Sequence, residues 1–134
     1  MIGFVTDIEQ ATKENDFFRK VIFTAGHSQY VLMALQPGED IGMEVHATVD
    51  QFIRIEAGEG KAILDGVEHQ IKDGSAIVVP AGTWHNFINT SAHDKMKLYT
   101  IYTPPNHPEM TVHRTKADAV AAHNAKHPHV VVAL

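Results

Sequence analysis

Four side chains in this sequence have the types and the spacing to hold a divalent cation: Glu44, His46, Gln51 and His85. Imidazole nitrogens, a carboxylate and an amide oxygen are donors that first-row transition metals accept. Glu44 and His46 are two positions apart, so on an extended backbone they point to the same face. Gln51 opens an apolar segment and shares a face with Ile53 and Ile55. His85 follows Pro80 and Gly82, a turn signature placed after the apolar run Ile77, Val78 and Val79. The start of a strand is a stiff place from which to aim an imidazole inward. Asp50 is a second candidate oxygen donor, but parity turns it away if Gln51 points in.

These residues need short strands to position them, and the chain supplies the pattern. A β-branched and aromatic stretch from Phe17 to Thr24 is broken by Gly26, and Gln29 to Leu35 stops at Pro37 and Gly38. Segments at Lys61–Leu64 and Val67–Ile71 flank Asp65-Gly66, a strong hairpin signal. Asn86–Thr90 and Lys97–Tyr102 follow, and Pro104, Pro105 and Pro108 end the strand-rich part. Many short strands with regular turns predict an all-β sandwich or barrel. Thr115 and Asp118 resemble a capping box ahead of a short Ala-rich helix over 117–125. With no repeat, linker or low-complexity tract, residues 1–134 read as one domain, a barrel core at about 19–103 and a C-terminal extension at 104–134.

Two segments resemble the paired signature motifs of the cupin superfamily. Gly74, Pro80, Gly82, His85 and Asn89 fit G-x5-P-x-G-x2-H-x3-N at every position. Such a set of fixed residues arises by chance on the order of once in several million starts. Gly38, Glu44, His46, Gln51 and Gly58 fall in the register of the first motif, G-x5-H-x-H-x3-4-E-x6-G. The resemblance implies a small antiparallel β-barrel of jelly-roll, double-stranded β-helix type, with a divalent metal inside. It departs from the usual three histidines and one glutamate: Glu44 takes the first His position and Gln51 the Glu position. One carboxylate is kept, only moved. The implied ligand set is Glu44, His46, Gln51 and His85, and its hard oxygens favour Mn²⁺, Fe²⁺, Ni²⁺ or Zn²⁺ over Cu(I). An isolated histidine after a turn is ordinarily a hydrogen-bonded structural residue. Two motifs at family spacing argue for the metal instead.

Composition bounds the rest. A length of 134 residues suits one compact domain with a real core. A net charge of −5 offers no basic surface for nucleic acid or anionic membrane. The absence of cysteine excludes disulfides and thiol chemistry and suits a reducing cytoplasm. The N-terminus lacks the basic region and apolar run of a signal peptide, and no run approaches a membrane span. The tail from His127 to Leu134 reads as a polar turn at His127-Pro128-His129 followed by a β-prone stretch. His27, His69, His93, His107, His113 and His123 read as ordinary surface residues. Phe17, Phe18 and Phe52 are expected to face outward and, with Val130–Leu134, to support a homodimer.

A metal inside a barrel with open coordination positions can act as a Lewis acid or activate water, so a small-molecule enzyme is the first reading. Ile53, Ile55 and Phe87 are expected to line its pocket, and Arg54 to face outward, leaving no evident phosphate clamp. This favours dioxygenase-like chemistry. The alternatives are a metal-dependent sugar isomerase or epimerase of the mannose-6-phosphate isomerase kind, and a non-catalytic cupin that binds a small ligand. Glu44 is spent if it is a ligand; otherwise it is the best candidate acid or base.

Overall fold

Period-two alternation of apolar and polar residues makes strands buried on one face, and two such sheets stack around a shared core. The computed structural model describes residues 2–126. The tail at 127–134 lies outside the described residues. The chain runs α1 (Ile8–Glu14), β1 (Arg19–Thr24), β2 (Gln29–Leu35), β3 (Asp50–Ala57), β4 (Glu59–Leu64), β5 (Val67–Lys72), β6 (Ala76–Val79), β7 (His85–Asn89), β8 (Met96–Thr103), β9 (Val112–His113) and α2 (Lys116–Lys126). One sheet has the order β6-β3-β8-β2-β1-β9 and the other β5-β4-β7. Among the described residues all strand pairs are antiparallel. Among the described residues no helix is long and apolar enough to cross a membrane.

The core lies between the sheets. Ile53 and Ile55 of β3, Leu35 of β2, Leu98 of β8 and Phe87 of β7 are all fully buried in one cluster. Each such side chain contributes about 1.5–3 kcal/mol relative to an exposed one. The predicted hairpin forms, with Asp65 and Gly66 at φ 46° and 81°, the left-handed pair that a two-residue turn requires. Gly60 on β4 is needed for a different reason. A Cβ there would stand 2.1 Å from the Ile88 carbonyl oxygen, so only glycine lets β4 approach β7, the strand that carries His85.

The ends of the chain differ from the expectation. The sequence pattern gives no sign of α1, because seven residues are too few for a periodic signal and an isolated helix of that length is unstable. It is held by an Asp7 cap, whose carboxylate accepts from the Gln10 N–H at 3.1 Å, and packs against β8. Phe18, expected to face outward, is 3 % exposed and belongs to the core. It precedes β1 and its N–H donates to the Arg114 carbonyl at 3.1 Å, so strand parity does not govern it. Phe17 and Phe52 are half-buried. The extension beyond residue 103 supplies β9, which adds an edge strand beside β1. It also supplies α2, capped as read: the Asp118 N–H donates to Thr115 Oγ1 at 3.1 Å.

Candidate metal centre

Backbone hydrogen bonds fix the donor-bearing segments before any side chain is considered. Glu44 and His85 form an antiparallel bridge in which each N–H donates to the other's carbonyl at 2.9 Å. The Gly82 N–H donates to the His46 carbonyl at 2.8 Å. Gly82 has φ +82°, a conformation glycine adopts without steric cost. Asn86 ties down the approach to Glu44: its Oδ1 accepts from the Gly42 N–H at 2.9 Å and its Nδ2 donates to Asp40 Oδ2 at 2.9 Å. Asn89 is structural. Its Nδ2 donates to the carbonyls of Leu35, Gln36 and Asp94.

With the backbone set, Glu44, His46 and His85 converge, their donor atoms all within 4.8 Å of one another. Glu44 Oε1 lies 3.4 Å from His46 Nε2 and 3.5 Å from His85 Nε2. Two donors of one tetrahedral ion with bonds of about 2.1 Å stand about 3.4 Å apart. The two Nε2 atoms are buried without a hydrogen-bond partner, and so is Gln51 Oε1. Buried polar atoms are nearly always paired, so this set requires an explanation. His85 Nδ1 sits 2.8 Å from the Thr83 carbonyl, which holds that nitrogen as the donor and leaves the Nε2 lone pair free. Gln51 Nε2 donates to Thr100 Oγ1 at 3.0 Å, which turns its oxygen away from that partner. Gln51 is paired across the sheet with Tyr102, whose ring stands edge-on to His46 at 6.0 Å. These residues fit a divalent transition metal.

The electrostatics agree. Burial would raise the Glu44 carboxyl, but the His46 and His85 imidazoles outweigh it and hold the group well below the usual carboxylate range. Burial likewise opposes charging His85, yet Glu44 and the Thr83 carbonyl raise its pKa. A carboxylate whose charge is this strongly favoured is ready to meet a cation.

Other expected site residues lie elsewhere. Asp50 is exposed and accepts from the Ala81 N–H at 2.9 Å, so it points away from the trio. Ile53, Ile55 and Phe87, expected along the pocket, are fully buried and do not line the cleft. Their parity is inward, but inward at that depth is the packed core between the sheets. Phe87 stays near the trio, its ring 5.9 Å from that of His85.

The cleft beside the trio has a volume of about 640 Å³ and is walled on one side by residues 41–46 and Trp84, on the other by the C-terminal extension. His107, His113 and His123, read from the sequence as ordinary surface residues, line it. Gln29 is fully buried and clamps the turn that carries His107: its Oε1 accepts from the Asn106 and His107 N–H groups at 3.1 and 2.9 Å. The His107 ring stands edge-on to Tyr102 at 5.2 Å, and burial pushes its pKa down to about 3. Tyr102 shares a face with Thr100 and Leu98, so parity along β8 could have found it. Arg19 also lines the cleft, and no local signal marks it.

A cupin-domain family model matches residues 31–102, more than half of the chain. This chain is a cupin. The cupin is 54 % identical to the Bacillus subtilis protein YrkC over 125 residues, 89 % of this chain and 67 % of that protein. It is 44 % identical to a protein of Acanthamoeba polyphaga mimivirus, over 85 % of this cupin and 74 % of the viral protein. The crystal structure of BH2720 from Bacillus halodurans superposes with a TM-score of 0.87 at 46 % identity, covering 90 % of this cupin and 95 % of that chain. The two-sheet architecture is therefore the cupin double-stranded β-helix.

Proposed function

We propose that this cupin holds one divalent transition metal on Glu44, His46, His85 and Gln51 and acts on a small molecule in the adjoining cleft by dioxygenase-like oxidation. The observation that carries the reading is the convergence of unpartnered buried donors, His46 Nε2, His85 Nε2 and Gln51 Oε1, with the Glu44 carboxylate. Two imidazoles and one carboxylate are the ligand kit of many O₂-using iron sites. A bound Fe²⁺ or Mn²⁺ would supply Lewis acidity and redox capacity. The chain's own residues do the rest. Thr83 orients His85, Thr100 orients Gln51, and Glu44 offsets the cation's charge. Tyr102, 1 % exposed, keeps water from the back of the site. Gln51, a neutral amide, is the donor most readily yielded to a substrate oxygen.

The reading includes a homodimer. Val67 of β5 and Val78 of β6 are 57 % and 63 % exposed, and a mass by light scattering that stays monomeric on concentration contradicts this part. The chemistry is tested by one panel of enediols, phenols and sugars. Metal-loaded protein should consume O₂ with at least one enediol or phenol. Sugar turnover with redox-inert Zn²⁺ and no O₂ uptake would favour the isomerase reading. Ligand-induced melting shifts without turnover would favour a binding protein.

A further inference from the structure

We infer that Arg19 is an anion-binding subsite of the cleft, and that the substrate is a monocarboxylate with an apolar or aromatic body. The inference deepens the proposed function by naming a substrate class, and rests on reading the cleft as the substrate site.

Arg19 opens β1 and stands directly across from His113 of β9, so the two side chains share a face. Both line the cleft. The guanidinium carbon lies 5.4 Å from the centre of the Phe18 ring, a stacking contact that fixes its plane. Its Nη1 lies 3.4 Å from His113 Nδ1. The Nε is buried and has no hydrogen-bond partner. Among the described residues no carboxylate pairs with Arg19, whereas Arg54 has Glu56 at 3.2 Å, Lys97 has Asp16 at 2.8 Å and Lys116 has Asp40. A buried Nε without a partner is rare enough to call for a ligand, and a guanidinium fork matches a carboxylate in two parallel hydrogen bonds.

The surroundings narrow the ligand. Glu44 is the only carboxylate among the described cleft-lining residues, and the imidazoles engage it. Lys116 is occupied by Asp40. Burial and the Arg19 charge hold His107 and His113 in their neutral forms, so they add donors but no charge. Lys126 also lines the cleft and adds positive charge there, so the ligand is an anion, and the planar Arg19 fork receives its carboxylate in two parallel hydrogen bonds. Arg19, Glu44 and His46 all line this cleft, which puts the subsite beside the proposed metal centre. At the rim, Met43 and Trp84 are 52 % and 54 % exposed and offer an apolar surface for the ligand's body.

The test is calorimetric titration of the full chain with benzoate, benzamide and phenyl phosphate, with metal content measured on each sample. Wild type should bind benzoate at least tenfold more tightly than benzamide. Arg19→Gln should lose at least tenfold in benzoate affinity, and Arg19→Lys, which keeps the charge without the fork, should fall between. Benzamide binding and metal content should not change. Equal benzoate affinity in wild type and Arg19→Gln, no saturable benzoate binding, or tighter binding of phenyl phosphate would each overturn the inference. Arg19-dependent benzoate binding by protein that holds no metal would support the subsite while contradicting the metal reading.

Discussion

The two ends of β3 and β8 are buried alike and differ in chemistry. At one end Gln51 faces Tyr102, and at the other Ile55 faces Leu98. All four are at most 3 % exposed. Ile55 and Leu98 need nothing but neighbours, and their burial stabilises the fold. Gln51 Oε1 is buried without a partner, and the buried His46 and His85 Nε2 atoms have no hydrogen bond and only the Glu44 carboxylate at 3.4 and 3.5 Å. Such atoms destabilise the metal-free chain, since each unsatisfied buried group costs about 1–3 kcal/mol. One sandwich therefore keeps a stabilising, apolar end and a polar end, the functional end of the reading proposed above, where a cation would offset the cost.

The sharpest way to break this contrast is to remove a donor at the functional end. His85→Ala should lose most bound metal while the metal-free protein keeps its far-ultraviolet circular dichroism, because the apolar end supplies the core. The reciprocal change, Leu98→Ala, should lower stability by about 2–5 kcal/mol. It should leave the metal stoichiometry of the folded fraction unchanged, checked by denaturant titration and elemental analysis. A smaller effect distinguishes donors within the functional end. Gln51→Ala should weaken metal affinity less than His46→Ala, since a neutral amide binds a cation less strongly than an imidazole; equal losses in a competitive chelator titration would contradict that ranking.

The smallest expected effect is a graded pH dependence. His85 must give up its Nε2 proton to bind, and Glu44 holds its pKa above the ordinary histidine value of about 6.5. Protons therefore compete with metal through the neutral range. Glu44 stays ionised there, because the imidazoles hold its pKa low. Occupancy at limiting metal should rise from pH 6 to pH 8 and fall as the solution is acidified. Occupancy that stays flat across this range would show that His85 is not a ligand.

Much of the functional end was legible because it obeys local rules. Glu44 and His46 share a face by parity, and Pro80 and Gly82 announce the turn that aims His85. The hairpin at Asp65-Gly66 and the capping of α2 by Thr115 carry their own turn and cap chemistry. What could not be read depends on distant pairing. Arg19 and His113 are 94 positions apart and meet because β9 pairs with β1, and β9 is a two-residue strand with no pattern of its own. His107 is drawn into the cleft by the buried Gln29 amide, a contact spanning 78 positions. The burial of Phe18 is decided by irregular backbone before β1, where alternation does not apply. Ile53, Ile55 and Phe87 have the inward parity the sequence predicts but lie deeper than the cleft, because parity tells which way a side chain points and not how far along the strand the core closes.

The most direct test of the central claim is elemental analysis of the protein purified without chelator and without added metal, wild type beside the double variant His46→Ala/His85→Ala. The account predicts near-stoichiometric divalent transition metal in the wild type and nearly none in the double variant, with matching circular dichroism. Equal metal content in the two proteins, or a wild type that takes up no Mn²⁺, Fe²⁺, Ni²⁺ or Zn²⁺ when each is supplied in excess, would contradict it.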